Sequence, residues 1–105
     1  MAINSLIIEG TLTDKPVLRK NGENDLVAVF TITTQHLRSV PSEHDFFDVE
    51  VEDRLAETVV KRADIGSAVR IVGRLRQDWL RSREYPVYYA RVVIVGDHLE
   101  LLKKQ

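Results

Sequence analysis

Trp79 sits in a stretch that also carries Arg74, Arg76, Arg81 and Arg83, and Tyr85, Tyr88 and Tyr89 follow soon after it. Guanidinium groups contact phosphates, and aromatic rings offer flat faces on which unpaired bases stack. Basic residues interleaved with aromatics are therefore the ingredients of a site for a single-stranded nucleic acid. Every base has a π-face, so a site of this kind works without strong sequence preference. Arg19 and Lys20, near the first turn, extend the same track. The plainer alternative is a solvated hairpin with ordinary surface arginines.

Other chemistry finds little support. His36, His44 and His98 are scattered, cysteine is absent, and the carboxylates fall at no recognisable ligand spacing. Neither a nucleophile–base pair nor a metal centre is expected from such a set. The chain has no G-x-S-x-G elbow, no phosphate-binding loop and no dinucleotide fingerprint. The expectation is a binding protein, not an enzyme, without cofactor or metal.

Charge qualifies the nucleic-acid expectation. The 105 residues carry a formal net charge of -1, which argues against binding by bulk electrostatics. Resolved along the chain, the charge is uneven. Residues 43–57 hold seven acids (Glu43, Asp45, Asp48, Glu50, Glu52, Asp53 and Glu57) against Arg54 alone. Residues 58–91 hold eight basic residues against Asp64, Asp78 and Glu84. Such asymmetry points to a polyanion partner for one surface. The alternative is that the two segments are neighbours that pair their charges.

These side chains must be positioned by short elements. Ile3 to Leu12 is β-rich and ends at Thr13-Asp14-Lys15-Pro16, where proline breaks or edges a strand. Asn21 to Asp25 has the composition of a hairpin loop, and Leu26 to Thr34 is again β-branched. After a loop over 35–44, Phe46 to Glu52 alternates: Phe47, Val49 and Val51 on one face, Phe46, Asp48, Glu50 and Glu52 on the other. From Arg54 to Asp64 the apolar period becomes helical, with Asp53 as N-cap and Gly66 suited to a left-handed terminus. Alternation resumes from Val69 to Leu75. Gln77 to Glu84 reads as a long hairpin loop, Pro86 to Val95 as a long strand, and His98 to Leu102 as a short one. Three β segments, a helix and two β segments form the element order of an OB fold, a five-stranded Greek-key barrel with its helix between strands three and four. One domain over residues 1–105 is expected.

The chain resembles bacterial single-stranded-DNA-binding proteins. The likeness lies in Asn4-Ser-Leu-Ile-Ile-Glu-Gly10-Thr-Leu12, Pro16-Val-Leu-Arg19, Val27-Ala-Val-Phe-Thr-Ile32, Leu55-Ala-Glu57 and Gly66-Ser-Ala-Val-Arg-Ile-Val-Gly-Arg-Leu75. It implies an OB fold, single-stranded DNA as partner, roles in replication, repair or recombination, and a homo-oligomer, tetramer or dimer. It also implies stacking platforms at Trp79 and at Phe46 on the third strand. Two positions depart from the family. Arg38 stands where a stacking tryptophan is usual, and a guanidinium can still stack and contact phosphate. Glu52 stands where a stacking phenylalanine is usual, and a carboxylate there repels phosphate. The expected DNA-binding set is Arg19, Arg38, Phe46, Arg74, Arg76, Trp79, Arg81, Arg83, Tyr85 and Tyr88.

The chain stops at Leu101-Leu102-Lys103-Lys104-Gln105. The family's acidic C-terminal tip for recruiting repair enzymes is thus not expected, as in the short primosomal accessory relatives. Leu6-Ile7-Ile8 is cut off by Glu9, so no secretory signal or membrane span is expected, and the setting is cytoplasmic. The alternative function is an OB-fold protein-interaction module with weak or no DNA binding.

Overall fold

The computed structural model describes residues 2–22, 25–35 and 44–102. The first β stretch is β1 (Leu6–Leu12), which ends before Pro16 as expected, since proline has no amide hydrogen to offer a ladder; past it runs a further strand that the sequence reading did not include, β2 (Val17–Asn21). The Asp14 carboxylate accepts the Thr31 N–H at 2.9 Å and fixes the break against the neighbouring strand. β2 pairs with β3 (Asp25–Gln35), which in turn pairs with β4 (His44–Glu52). Helix α1 (Asp53–Arg62) leads to β5 (Ala68–Arg81) and β6 (Tyr88–Leu101).

Strand pairing closes on itself. β1 pairs with β5 through Leu6–Thr11 and with β3 at Thr11 and Leu12. β5 pairs with β6, β6 runs parallel to β4, and β4 returns to β3. The ring β1-β5-β6-β4-β3 is the five-stranded OB barrel, with β2 riding outside on β3. The helix falls between the third and fourth strands of the ring. Inside lie Leu12, Ala28, Phe30, Ile32, Val49, Val51, Val69, Ile71 and Ile94, and α1 adds Ala56 and Val59 to this core.

Local details depart from the sequence reading. Asp53 is the first helical residue, at φ +54, and not the cap; Glu52 precedes it in extended conformation without a side-chain capping bond. The helix ends at Arg62, before Gly66. Gly66, at φ +87, instead serves a turn closed by the Ser67 N–H donating to the Asp64 carbonyl at 3.0 Å. Positive φ at the third position of a tight turn is what glycine supplies.

The larger correction concerns Gln77 to Arg81, which is strand and not loop. These residues pair one for one with Val92 to Tyr88, so β5 and β6 run on past the barrel as a two-stranded arm tipped by residues 82–87. Water reaches both sides of such an arm. Its polar residues therefore signal exposure, not the absence of a strand. His98 to Leu101 likewise belongs to one continuous β6. A register shift interrupts the pair at Val72/Gly73, within the barrel, and a Cβ on Gly73 would collide with the Val95 carbonyl. Just before the arm Asn4 acts as a surrogate strand residue: its carboxamide donates to the Leu75 carbonyl (2.7 Å) and accepts the Leu75 N–H (2.9 Å).

Candidate nucleic-acid interface

Strand alternation fixes what the barrel presents outward. On β4 the outward residues are Phe46, Asp48, Glu50 and Glu52; Phe46 is 64% exposed, whereas Val49 and Val51 are buried. Register carries this face across the sheet. Asp48 stands beside Thr31 and Val93, Glu50 beside Val29 and Val95, and Arg76 and Arg74 stand opposite Val93 and Val95. A cleft of about 220 Å³ follows this face, with Arg19 and Asp14 at one side and Arg91 at the other.

Ion pairs border the cleft at its Glu50 and Arg91 side. Arg76 grips Asp78 in a fork, Nε to Oδ1 at 2.8 Å and Nη2 to Oδ2 at 3.0 Å, while Nη2 also reaches Glu50 at 2.7 Å. Arg91 lies 3.7 Å from Asp78, 3.9 Å from Glu50 and 4.0 Å from Asp48. Hydrogen bonds from Arg76, reinforced by its charge and that of Arg91, hold the Asp78 carboxyl below its ordinary value. The Arg76 guanidinium, bonded to Asp78 and Glu50, is held even more firmly in its charged form. Elsewhere Arg74 pairs with Asp97 at 2.8 Å, and Arg70 pairs with Glu9 at 2.6 Å and with Glu100 at 3.4 Å. The acidic strand and the arginine-rich strand do pair, with β6 between them.

The arm is different. Directly opposed residues share a face. Trp79 opposes Ala90, Arg81 opposes Tyr88 and Gln77 opposes Val92, so Trp79, Arg81 and Tyr88 lie together. Trp79 and Tyr88 are each 67% exposed. The other face carries Asp78 and Leu80 with Arg91 and Tyr89, and this is the side that joins the cleft. At the tip the Ser82 hydroxyl oxygen accepts the Glu84 and Tyr85 N–H groups, each at 3.3 Å, and the Ser82 N–H donates to the Val87 carbonyl at 3.0 Å. Arg83 and Tyr85 project from that tip, exposed. Among the described residues, Arg19, Arg81 and Arg83 have no carboxylate partner.

The expected site thus divides in two. Trp79, Arg81 and Tyr88 share one face of the arm, with Arg83 and Tyr85 at its end. Phe46, Arg19, Arg74 and Arg76 belong to the cleft face, the last two already ion-paired. Arg38 lies outside the described residues. Sequence reasoning named Tyr89 among the aromatics that follow Trp79 but did not single out Arg91 or Asp78 as parts of this surface. The signal was available in the parity of a continuous hairpin, where even positions of β5 share a face with odd positions of β6.

Among the described residues no group of His, Asp or Glu is arranged to hold a metal ion, and no helix is long and apolar enough to cross a membrane. Comparison with protein-family models matches residues 3–102, nearly the whole chain, to the single-strand binding protein family.

Proposed function

Because the chain belongs to the single-strand binding protein family, we propose that it binds single-stranded DNA through the β5–β6 arm, without strong sequence preference, in replication, repair or recombination. Trp79 and Tyr88 stack bases, and Arg81 and Arg83 take the phosphates between them. The observation that carries this reading is the coincidence on one arm face of two widely exposed rings and a guanidinium without a carboxylate partner among the described residues. Binding by stacking and charge needs no catalytic group, and the role is non-enzymatic.

A long pyrimidine oligonucleotide is expected to quench the fluorescence of Trp79, the chain's one tryptophan, at low salt. Added salt is expected to reverse the quenching with a slope near -0.7 per phosphate neutralised. Absence of quenching with micromolar protein at about 50 mM salt, where even charge-driven binding is strong, would sink the DNA reading. That outcome would promote a protein-interaction module, which the ion-paired cleft favours. Assembly into a tetramer or dimer belongs to the same proposal. The β1 edge along Leu6–Gly10 that faces away from β5 has no strand partner among the described residues, and Ile3 and Ile7 are exposed beside it. Light scattering of the same sample reads the mass.

A further inference from the structure

Arg76 and Arg91 stand on adjacent strands and come from the arginine-rich segment; Arg91 lines the cleft and Arg76 reaches Glu50 in its wall, yet the arm reading uses neither. We propose that Glu50 and Asp78 close this cleft to single-stranded DNA by occupying the two guanidinium groups that would otherwise take phosphates, and so confine the strand to the arm. This rests on the reading that the arm binds DNA.

The geometry is that of a filled anion site. The fork of Arg76 on Asp78 is the bidentate arrangement that suits carboxylate and phosphate alike. The acids are more sheltered than the cations they hold. The Glu50 and Asp78 side chains are 17% and 27% exposed, against 40% for Arg76 and 45% for Arg91. A phosphate entering the cleft would have to draw the guanidinium groups off these oxygens. That would leave two partly sheltered carboxylates uncompensated, which is unfavourable. It would also bring a polyanion toward Asp48, Glu50 and Asp78, where, among the described residues of the cleft, Arg76 and Arg91 are already engaged and Arg19 at the opposite side is the one cation left to oppose them. Cations already neutralised within the protein displace few counterions from DNA, so the usual salt-driven gain is missing.

The pairing at the far side of the barrel supplies a control. Arg70 is held by Glu9 and Glu100 in a similar way, but away from the cleft. Neutralising Glu9 and Glu100 changes net charge as much as neutralising Glu50 and Asp78 does.

The test measures affinity for labelled oligothymidylates of increasing length by anisotropy. For the unaltered chain, with oligomers too short to bridge two arms of an assembly, affinity is expected to stop rising once the arm is spanned. For Glu50→Gln/Asp78→Asn it is expected to keep rising with length, at least ~5-fold at the longest oligomer. The salt slope should steepen by about 1.4, two phosphates at roughly 0.7 each. Adding Arg76→Gln to that variant is expected to remove most of the gain, and Glu9→Gln/Glu100→Gln is expected to keep the original length dependence. The proposal is overturned if Glu50→Gln/Asp78→Asn keeps the original plateau and slope, or if Glu9→Gln/Glu100→Gln reproduces the gain. An unaltered chain that binds no oligomer of any length would count against the arm reading instead. Should the double variant fail to fold, Asp78→Asn alone is expected to steepen the slope by about 0.7, and an unchanged slope overturns the proposal equally.

Discussion

Trp79→Ala is expected to weaken binding of a long pyrimidine oligonucleotide by roughly 5- to 150-fold, the loss of one stacking platform worth about 1–3 kcal/mol. The substitution removes the intrinsic fluorophore, so anisotropy of a labelled strand is the suitable readout. Trp79 is 67% exposed and opposes only Ala90 across the arm. Folding should therefore be almost indifferent to the change, within about 0.5 kcal/mol, as for other surface substitutions. Phe46→Ala makes the informative comparison. Phe46 is nearly as exposed, at 64%, but it shares its face with Asp48 and Glu50. Its loss is expected to cost under about 2-fold, well below one stacking platform. Equal losses at the two positions would mean that the strand crosses the cleft face, and the arm-centred account would fall.

Ile71→Ala is expected to act in the opposite manner, costing about 2–5 kcal/mol of stability. Ile71 is fully buried on β5 among Leu12, Val51 and Val69 in the barrel interior. Truncation there removes apolar contact and leaves a cavity that strands fixed in a closed ring relax into poorly. Near this chain length each kcal/mol moves the melting temperature by about 4–8 °C, so a fall of more than about 10 °C is expected in thermal unfolding. Ile65→Ala deletes the same atoms from a turn residue that is 66% exposed, and should stay within about 0.5 kcal/mol. A comparable fall for both substitutions would contradict the placement of the core.

How legible these features were in the sequence depends on what water touches. Val49 and Val51 alternate with Asp48 and Glu50 because one side of β4 faces the core, and that contrast is written in the residue types. Ala56 and Val59 announce a helix for the same reason. The arm has no such contrast. Gln77, Asp78, Trp79, Leu80 and Arg81 mix polar and apolar residues on a ribbon wet on both sides, so composition suggested a loop. With strand continuity missed, facing was missed too. Trp79 and Arg76 look like members of one cluster along the chain, yet odd and even positions put them on opposite faces. Phe47 shows a milder version. It alternates with the core residues but is 36% exposed, because β4 pairs with β6 only from Asp48 to Val51 and Phe47 lies just before that stretch. The ion pairs between β4 and β5 could be guessed from charge, but their partners follow only from the ring order that sets β6 between them.

The Asn4 bridge to Leu75 marks a border of a different sort. Below it every β5 amide belongs to a closed ring, and opening one requires much of the barrel to open. Above it Gln77–Arg81 and Tyr88–Val92 have only each other among the described strands, and a two-stranded ribbon alone is marginal in water. Hydrogen exchange should therefore divide at Leu75, with the arm amides exchanging through local fraying and the barrel amides only through near-global unfolding. A single strand laid on Trp79 and Tyr88 is expected to slow that fraying. Slowed exchange confined to those ten positions would record where it lies.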